Sequence, residues 1–186
     1  MRRLILIGLL SFTASALAQN SSPRTYTRIT PTFGSEQSVM RYPAPPRVST
    51  RTFFGIGVQY GRPLLAGEAE AQLAHGTRTY STQKVKDDVT RASLGLRTTN
   101  PATSFFSVYS RSGVRTSWQR SEIKDTTTGQ TEKKSPPATY DPYAGGGLEF
   151  HLSSVGSFNA GATWYFPQGG GEPSLQYAFG VTLAGL

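Results

Sequence analysis

Three polar residues towards the C-terminus have the spacing of a hydrolytic site: Glu149, His151 and Ser153. Alternate residues of a β-strand lie on one face, so the carboxylate, the imidazole and the hydroxyl could approach one another. A serine beside a histidine base, with a carboxylate to orient the histidine, is an acyl-transfer arrangement. Any strand face with three successive polar residues shows the same spacing, and a histidine facing the interior beside a turn serine is the simpler interpretation. We therefore expect no catalytic residue.

Other catalytic and metal-binding patterns do not occur in the chain. There is no cysteine, the two histidines, His75 and His151, are far apart, and no HExxH, P-loop or GxSxG sequence is present. The glycine runs at 145–147 and 169–171 are not followed by the Lys-Ser/Thr pair that helps to cradle a phosphate. The sequence therefore predicts neither a metal site nor a cofactor.

The first residues of the chain predict export. Arg2 and Arg3 precede an apolar run, Leu4–Leu10, and residues 16–18 (Ala-Leu-Ala) have the small-x-small form of a signal peptidase site. We expect residues 1–18 to be a cleaved signal peptide.

The charge of the chain indicates what it could contact. It carries 19 Lys and Arg against 11 Asp and Glu, a formal net charge of +8. In an exported protein such an excess favours anionic lipid or polysaccharide headgroups as partners, and we expect no nucleic acid.

From Arg51 onwards, apolar residues alternate with small or polar ones, the pattern of a strand with one apolar face. Seven segments show it, at about residues 51–61, 68–80, 91–98, 106–118, 145–152, 157–166 and 175–183. We place a domain boundary at this change of pattern. Residues 19–50 form a Pro-rich N-terminal segment with one weak strand at most, and residues 51–186 form a β-barrel domain.

The two faces of these strands favour a membrane barrel. One face is rich in Gly, Ser, Thr, Asn and Gln, which suits a narrow lumen, and the other is apolar, which suits lipid. Tyr60, Trp118, Trp164 and Phe166 are expected at the membrane interfaces. A sheet in a bilayer must close, and bacterial barrels have even strand numbers. The predicted fold is all-β, an antiparallel up-and-down β-barrel of eight strands. A soluble exported barrel or sandwich that binds a small apolar ligand is the alternative.

This pattern resembles the small, eight-stranded outer-membrane β-barrel proteins of Gram-negative-type bacteria, over about residues 51–186. The resemblance implies an outer-membrane location, contact with outer-membrane lipid, and a non-enzymatic role in envelope structure or surface interaction. Short turns would face the periplasm, and the connections near residues 81–88, 119–142 and 167–173 would face outward. We expect Arg120–Tyr140 to be a long exposed loop and the contact region.

The run His151-Leu152-Ser153 also resembles the His-x-Ser-Asn stretch of outer-membrane lipid A deacylases, which are eight-stranded barrels. That resemblance would make His151 the base and Ser153 the nucleophile of a lipid-modifying enzyme, the alternative function. The chain has Ser154 where those enzymes have Asn, and a further complete strand pattern follows Trp164. A motif without its structural context is weak evidence, so the non-enzymatic function is preferred.

Charged residues on the polar strand faces are expected to point into the lumen and to pair there, because an unpaired buried charge is costly. The interior of an eight-stranded barrel is little wider than the side chains that fill it. A network of ion pairs would therefore plug the barrel, and a gated conduit whose pairs rearrange is the alternative. The expected members are Glu68, Glu70, Arg78, Arg91, Arg97, Arg111, Arg115 and Glu149.

Overall fold

The computed structural model describes residues 25–40, 47–62, 64–80, 82–153, 156–168 and 172–184. The signal peptide predicted for residues 1–18 lies outside these ranges and stays a prediction. Within them, no helix has the length and hydropathy needed to cross a membrane. The strands of the described residues are β1 (Tyr26–Met40), β2 (Arg47–Arg62), β3 (Leu65–Tyr80), β4 (Gln83–Pro101), β5 (Phe106–Asp125), β6 (Thr131–Lys134), β7 (Thr139–Ser153), β8 (Gly156–Tyr165) and β9 (Ser174–Ala184).

The sheet closes on itself. Strands β1 to β5 and β7 to β9 follow one another around the barrel, each antiparallel to its neighbours, and β9 returns to pair with β1. The short strand β6 pairs only with the far end of β5 and lies outside the closed ring. The predicted all-β, up-and-down, eight-stranded barrel is thus confirmed.

Strand β1 supplies the eighth member of the barrel from within the Pro-rich segment. It pairs with β2 along its whole length. It pairs with β9 at Arg28 and Ile29 and again from Thr32 to Gln37. The barrel therefore begins upstream of the boundary placed at residue 51. Pro31 lies in the middle of β1 and has no N–H to donate. Because of this proline, the sequence pattern of β1 is weaker than that of the other strands. Pairing with β2 and β9 holds the strand in the sheet.

The two ends of the barrel differ in their connections. At the end that holds Tyr26 and Ala184, two to four residues join β2 to β3, β4 to β5 and β7 to β8. We call this the short-turn end. The opposite, long-loop end carries the β1–β2, β3–β4 and β8–β9 connections and the whole segment that contains β6. Longer connections face the cell exterior in bacterial barrels.

Strands β4 and β5 are 19 and 20 residues long, whereas a strand of about 10 residues is long enough to cross a bilayer. Their surplus projects from the long-loop end, where β6 folds back on β5 as a hairpin. We call this extension of β4, β5 and β6 the projecting hairpin. Lys84–Asp88, which the sequence suggests to be a loop, lies in β4, and much of Arg120–Tyr140 lies in β5 and β6. The apolar alternation stops there because the outward face of the hairpin no longer meets lipid.

The barrel is polar inside and apolar outside, the reverse of a water-soluble barrel. Leu94 on the exterior of β4 is 71% exposed, whereas Arg91 on its inner face is 2% exposed. The four interfacial aromatics expected from the sequence all face outward. The other large apolar side chains of this belt include Phe33, Phe54, Ile56, Val58, Leu73, Leu96, Val108, Val114, Leu148, Leu152, Tyr177, Phe179, Val181 and Leu183. Such a continuous apolar surface requires lipid around it.

Two tyrosines fill the lumen above glycines of neighbouring strands: Tyr109 lies over Gly147 and Gly161, and Tyr143 lies over Gly113 and Gly95. A Cβ at any of these glycines would collide with a tyrosine hydroxyl or a backbone oxygen. The glycines therefore make room for aromatic rings that would not otherwise fit inside so narrow a barrel.

Replacing Gly95 by alanine is expected to destabilise the barrel by about 1–3 kcal/mol, because the new Cβ must displace Tyr143 or the Ser112 backbone. Urea unfolding of the protein in detergent micelles measures the effect. Gly57→Ala is the matched control, since Gly57 also faces the lumen but a Cβ there meets its neighbours at 3.6 Å or more. Equal losses in the two variants would contradict this account of the packing.

Candidate functional site

The charged side chains inside the barrel pair in two clusters. The short-turn cluster consists of Arg28, Glu68, Glu70, Arg97, Arg111 and Glu149. The long-loop cluster consists of Glu36, Arg51, Arg78, Asp87, Arg91, Arg115 and Asp141. Together they occupy the lumen from one end of the barrel to the other.

Arg111 joins two carboxylates of β3 in the short-turn cluster. Its Nε donates to Glu68 Oε1 at 2.7 Å, and its Nη2 donates to Glu70 Oε2 at 2.9 Å. The Tyr143 hydroxyl donates to the same Glu68 oxygen at 2.9 Å, and the guanidinium lies 5.1 Å from the Tyr143 ring centroid. The ring that covers two glycines therefore also positions this ion pair.

Glu149 is the second centre of the short-turn cluster. Its Oε2 accepts from Arg97 Nη2 at 2.8 Å, and its Oε1 accepts from Arg28 Nη1 at 2.9 Å and from Ser157 Oγ at 2.7 Å. The Arg97 guanidinium stacks 3.6 Å from the Tyr109 ring centroid. Glu149 is only 1% exposed, so its charge is balanced by these partners and not by water.

Glu36 links two arginines in the long-loop cluster. Its Oε2 lies 2.7 Å from Arg91 Nη2 and 3.1 Å from Arg115 Nη1. Arg115 also donates to Asp141 Oδ2 at 3.2 Å and stacks 3.4 Å from the Tyr165 ring centroid. The carboxylate of β1 thereby connects β4 and β5 across the lumen.

Asp87 is the other shared carboxylate of the long-loop cluster and is fully buried. Its Oδ2 pairs with Arg78 and lies 3.7 Å from Arg51 Nη2. Its Oδ1 accepts from Ser121 Oγ at 2.6 Å and from Gln119 Nε2 at 3.3 Å. This group closes the lumen towards the long-loop end.

Each of the eight charged residues that the sequence places in the lumen takes part in one of these ion pairs. Sequence reasoning missed Arg28, Glu36, Arg51, Asp87 and Asp141. Arg51 and Asp87 have the parity of the inward positions on their strands, so extending the alternation would have included them. Arg28 and Glu36 lie on β1, so they could be placed in the lumen only after β1 was recognised as the eighth strand.

The lumen leaves little space between these side chains. A cavity of about 40 Å³ lies beside Arg97, Tyr109 and Arg111, which is room for a few water molecules. Arg91, Asp87 and Glu149 are each at most 2% exposed. The interior is therefore a charged plug with a small cavity in it.

His151 lies at the short-turn end, and its hydroxyl partner is on another strand. Its Nε2 is 2.8 Å from Ser107 Oγ of β5. Ser107 is 2% exposed, and the Glu149 carboxylate on the same face is already bound by two guanidiniums. Ser153, the nucleophile suggested by the resemblance to deacylases, ends β7, and its side chain lies outside the described residues.

The other histidine, His75, is on the barrel exterior. Its Nδ1 is 2.7 Å from Asp88 Oδ1, and its Nε2 is 3.2 Å from Thr77 Oγ1. In the part of the chain that the structure describes, no three His, Cys, Asp or Glu side chains are placed to hold a metal ion.

The outward face of the projecting hairpin is strongly cationic. We call it the outer ribbon, and it consists of Lys84, Lys86, Asp88, Arg120, Glu122, Lys124 and Lys133. Lys84 lies directly opposite Lys124, and Glu122 lies between Lys86 and Lys133. Its five cations outnumber its two carboxylates, and all of them stand above the apolar belt.

The tip of this hairpin is ordered by Asp125, where β5 ends. Its carboxylate accepts backbone hydrogen bonds from Thr128 at 3.0 Å and from Thr127 at 2.7 Å. These N–H donors lower the pKa of Asp125 below its usual value. The tip therefore holds its geometry while the adjacent lysines remain exposed.

Replacing Glu149 by glutamine should destabilise the folded barrel by about 3–5 kcal/mol, because Arg28 and Arg97 then face each other without their shared carboxylate. Urea unfolding in micelles measures this change, with Glu172→Gln as the control at an exposed carboxylate. A loss no larger than that of the control would show that the network contributes little to stability.

Comparison with known proteins adds information on the fold. No protein-family model matches the chain, and no curated protein matches its sequence. The crystal structure of Ail, the attachment invasion locus protein of Yersinia pestis, is similar with a TM-score of 0.60 at 10% identity, covering 88% of this chain and 100% of Ail.

Two further solved structures have the same architecture. Neisserial surface protein A (NspA) has a TM-score of 0.55 at 13% identity, covering 88% of this chain and 99% of NspA. The N-terminal β-barrel domain of Pseudomonas aeruginosa OprF has a TM-score of 0.53 at 12% identity, covering 88% of this chain and 100% of that domain. The resemblance recognised from sequence pattern is confirmed at the level of the fold. A closed eight-stranded barrel with a polar lumen and a lipid-facing belt is the architecture of outer-membrane proteins, and the outer membrane is where this chain resides.

Proposed function

We propose that this protein is a non-enzymatic outer-membrane barrel whose projecting hairpin contacts anionic groups of lipid or polysaccharide at the cell surface, in an envelope-structural or surface-interaction role. The outer ribbon is the observation that carries the proposal. It is a cationic face on strands about twice as long as the bilayer requires. The belt below it is apolar.

The lumen supports a role at the surface and not in transport. The two ion-pair clusters and the tyrosine rings of Tyr109, Tyr143 and Tyr165 fill it with side chains that hold one another in place. Moving a solute through would require several buried ion pairs to separate at once, which is costly in a desolvated interior. We therefore favour the plug over the gated conduit.

The pairing register supports an anionic partner. Lys84 and Lys124 are direct neighbours on antiparallel strands, and like charges in that position destabilise a sheet. A phosphate or sulfate oxyanion between the two ammonium groups would relieve this repulsion. Each lysine near an anionic surface contributes about 1 kcal/mol to binding. The cations of the ribbon therefore contribute together to the free energy of binding.

One of the structurally similar proteins offers a parallel. Ail of Yersinia pestis has been crystallised in complex with the heparin analogue sucrose octasulfate, and that structure has a TM-score of 0.57 to this chain at 12% identity. The parallel suggests sulfated polysaccharide as a probe. In this chain the paired lysines of the outer ribbon would bind such a group.

Reversing two charges of the ribbon tests the proposal. Lys84→Glu combined with Lys124→Glu should weaken binding of heparin or of lipopolysaccharide vesicles to the full barrel at least about 10-fold, because each lysine contributes about 1 kcal/mol. Surface plasmon resonance at several salt concentrations measures the affinity. Arg62→Glu, an exposed cation at the short-turn end, is the matched control. Unchanged affinity in the double variant, or an equal loss in the control, would refute this assignment.

A lipid-modifying enzyme is the second candidate, and the 2.8 Å contact of Ser107 with His151 is the observation that favours it. The contact lies at the short-turn end, and Ser107 is buried, so an acyl chain of the outer leaflet would not reach it. We expect overexpression to leave lipid A acylation unchanged in mass spectra, for the native protein and for His151→Ala alike. Loss of acyl chains that His151→Ala abolishes would establish the enzyme instead.

A further inference from the structure

The long-loop cluster carries more positive than negative charge. Among the described residues its members are four arginines and three carboxylates, whereas the short-turn cluster has three of each. All 11 Asp and Glu of the chain lie in the described ranges, so no carboxylate side chain remains elsewhere to complete the cluster. The five carboxylates that belong to neither cluster are on the exterior or in connections: Asp88, Glu122, Asp125, Glu132 and Glu172.

Buried donors without acceptors occur at two places in this part of the lumen, one at Arg78 beside Asp87 and the other at Arg91, Arg115 and Ser117. Nε and Nη1 of Arg91, Nε of Arg115 and Oγ of Ser117 are buried and have no hydrogen-bond partner among the described residues. The Arg91 and Arg115 side chains are 2% and 6% exposed. Guanidinium groups can only donate, so these atoms require an acceptor, and leaving buried donors unpaired is costly.

The residues that carry these donors lie close together in the lumen. Arg91 Nη2 and Arg115 Nη1 both lie within 3.1 Å of a single oxygen, Glu36 Oε2. Ser117 is the direct strand neighbour of Arg91 in the β4–β5 register, and it lies on the same strand face as Arg115. Two guanidiniums and a hydroxyl are thus neighbours in this part of the lumen, and one further negative charge would neutralise the cluster.

We propose that the long-loop cluster is a binding site for a monovalent, halide-sized anion, held between Arg91, Arg115 and Ser117 inside the barrel. The site differs from the outer ribbon, which is on the exterior and would take oxyanions of large molecules. A bound chloride accepts from the unpaired guanidinium N–H groups and from the Ser117 hydroxyl. It acts as the fourth anion of the cluster and stabilises the long-loop half of the plug.

Chloride dependence of stability tests the proposal on the complete barrel in a neutral detergent. We expect the urea concentration at the midpoint of unfolding to rise as chloride replaces gluconate at constant ionic strength. The rise should reach a plateau once the site is full. Ser117→Asp should provide the missing negative charge covalently, so it should raise the midpoint in gluconate and abolish the response to chloride. Ser157→Asp is the matched control, because it places a second buried carboxylate beside Glu149. It should lower the midpoint and keep the response.

Line broadening of the ³⁵Cl NMR signal provides a second measurement that does not depend on the variants folding equally well. The native protein should broaden the signal, and bromide should compete for the site. Ser117→Asp, which retains every exterior lysine, should remove most of the broadening. A midpoint that is the same in chloride and gluconate, or broadening that Ser117→Asp leaves intact, would mean that water satisfies these donors and would overturn the proposal.

Discussion

In the core of a bilayer no water is available to an unpaired backbone N–H or C=O, so every strand that crosses it must be paired on both sides. Closure of β9 onto β1 meets this requirement here, and the other features of the molecule follow from it. A closed ring of eight strands has an interior only as wide as its side chains. The same closure retains Pro31 in a strand, because β2 and β9 would otherwise each expose an edge to lipid.

A narrow polar interior determines how its charges are arranged. Several carboxylates serve two guanidiniums each, and most of the pairs join strands that are not neighbours, such as Glu36 of β1 with Arg115 of β5. Buried ion pairs do not by themselves guarantee net stability, because desolvation offsets much of their attraction. Their contribution is specific: each pair forms in only one register, and most of the pairs connect strands that are not adjacent. Tyr109 and Tyr143 add to this by stacking under guanidiniums while resting on glycines.

The projecting hairpin shows how one sheet serves two environments. Along β4 the outward positions change from Leu94 and Leu96 in the belt to Lys84 and Lys86 above it, without a break in the strand. The rigid barrel therefore continues directly into the surface that we propose to bind anions. A ribbon built on paired strands holds its cations at fixed spacings, which a flexible loop of the same composition would not do.

The amino-acid sequence by itself determined the alternation of strand faces, and with it the barrel class, the lipid-facing belt and the inward direction of charged residues such as Arg97 and Glu149. Period-two alternation is local and depends only on backbone geometry. Only the tertiary structure decided which residues meet across the lumen. It placed Ser107 beside His151 and brought Glu36 to Arg91, because those contacts depend on the pairing register and closure of strands far apart in the chain. It also assigned β1 to the barrel, since a strand interrupted by proline is held by its neighbours and not by its own pattern.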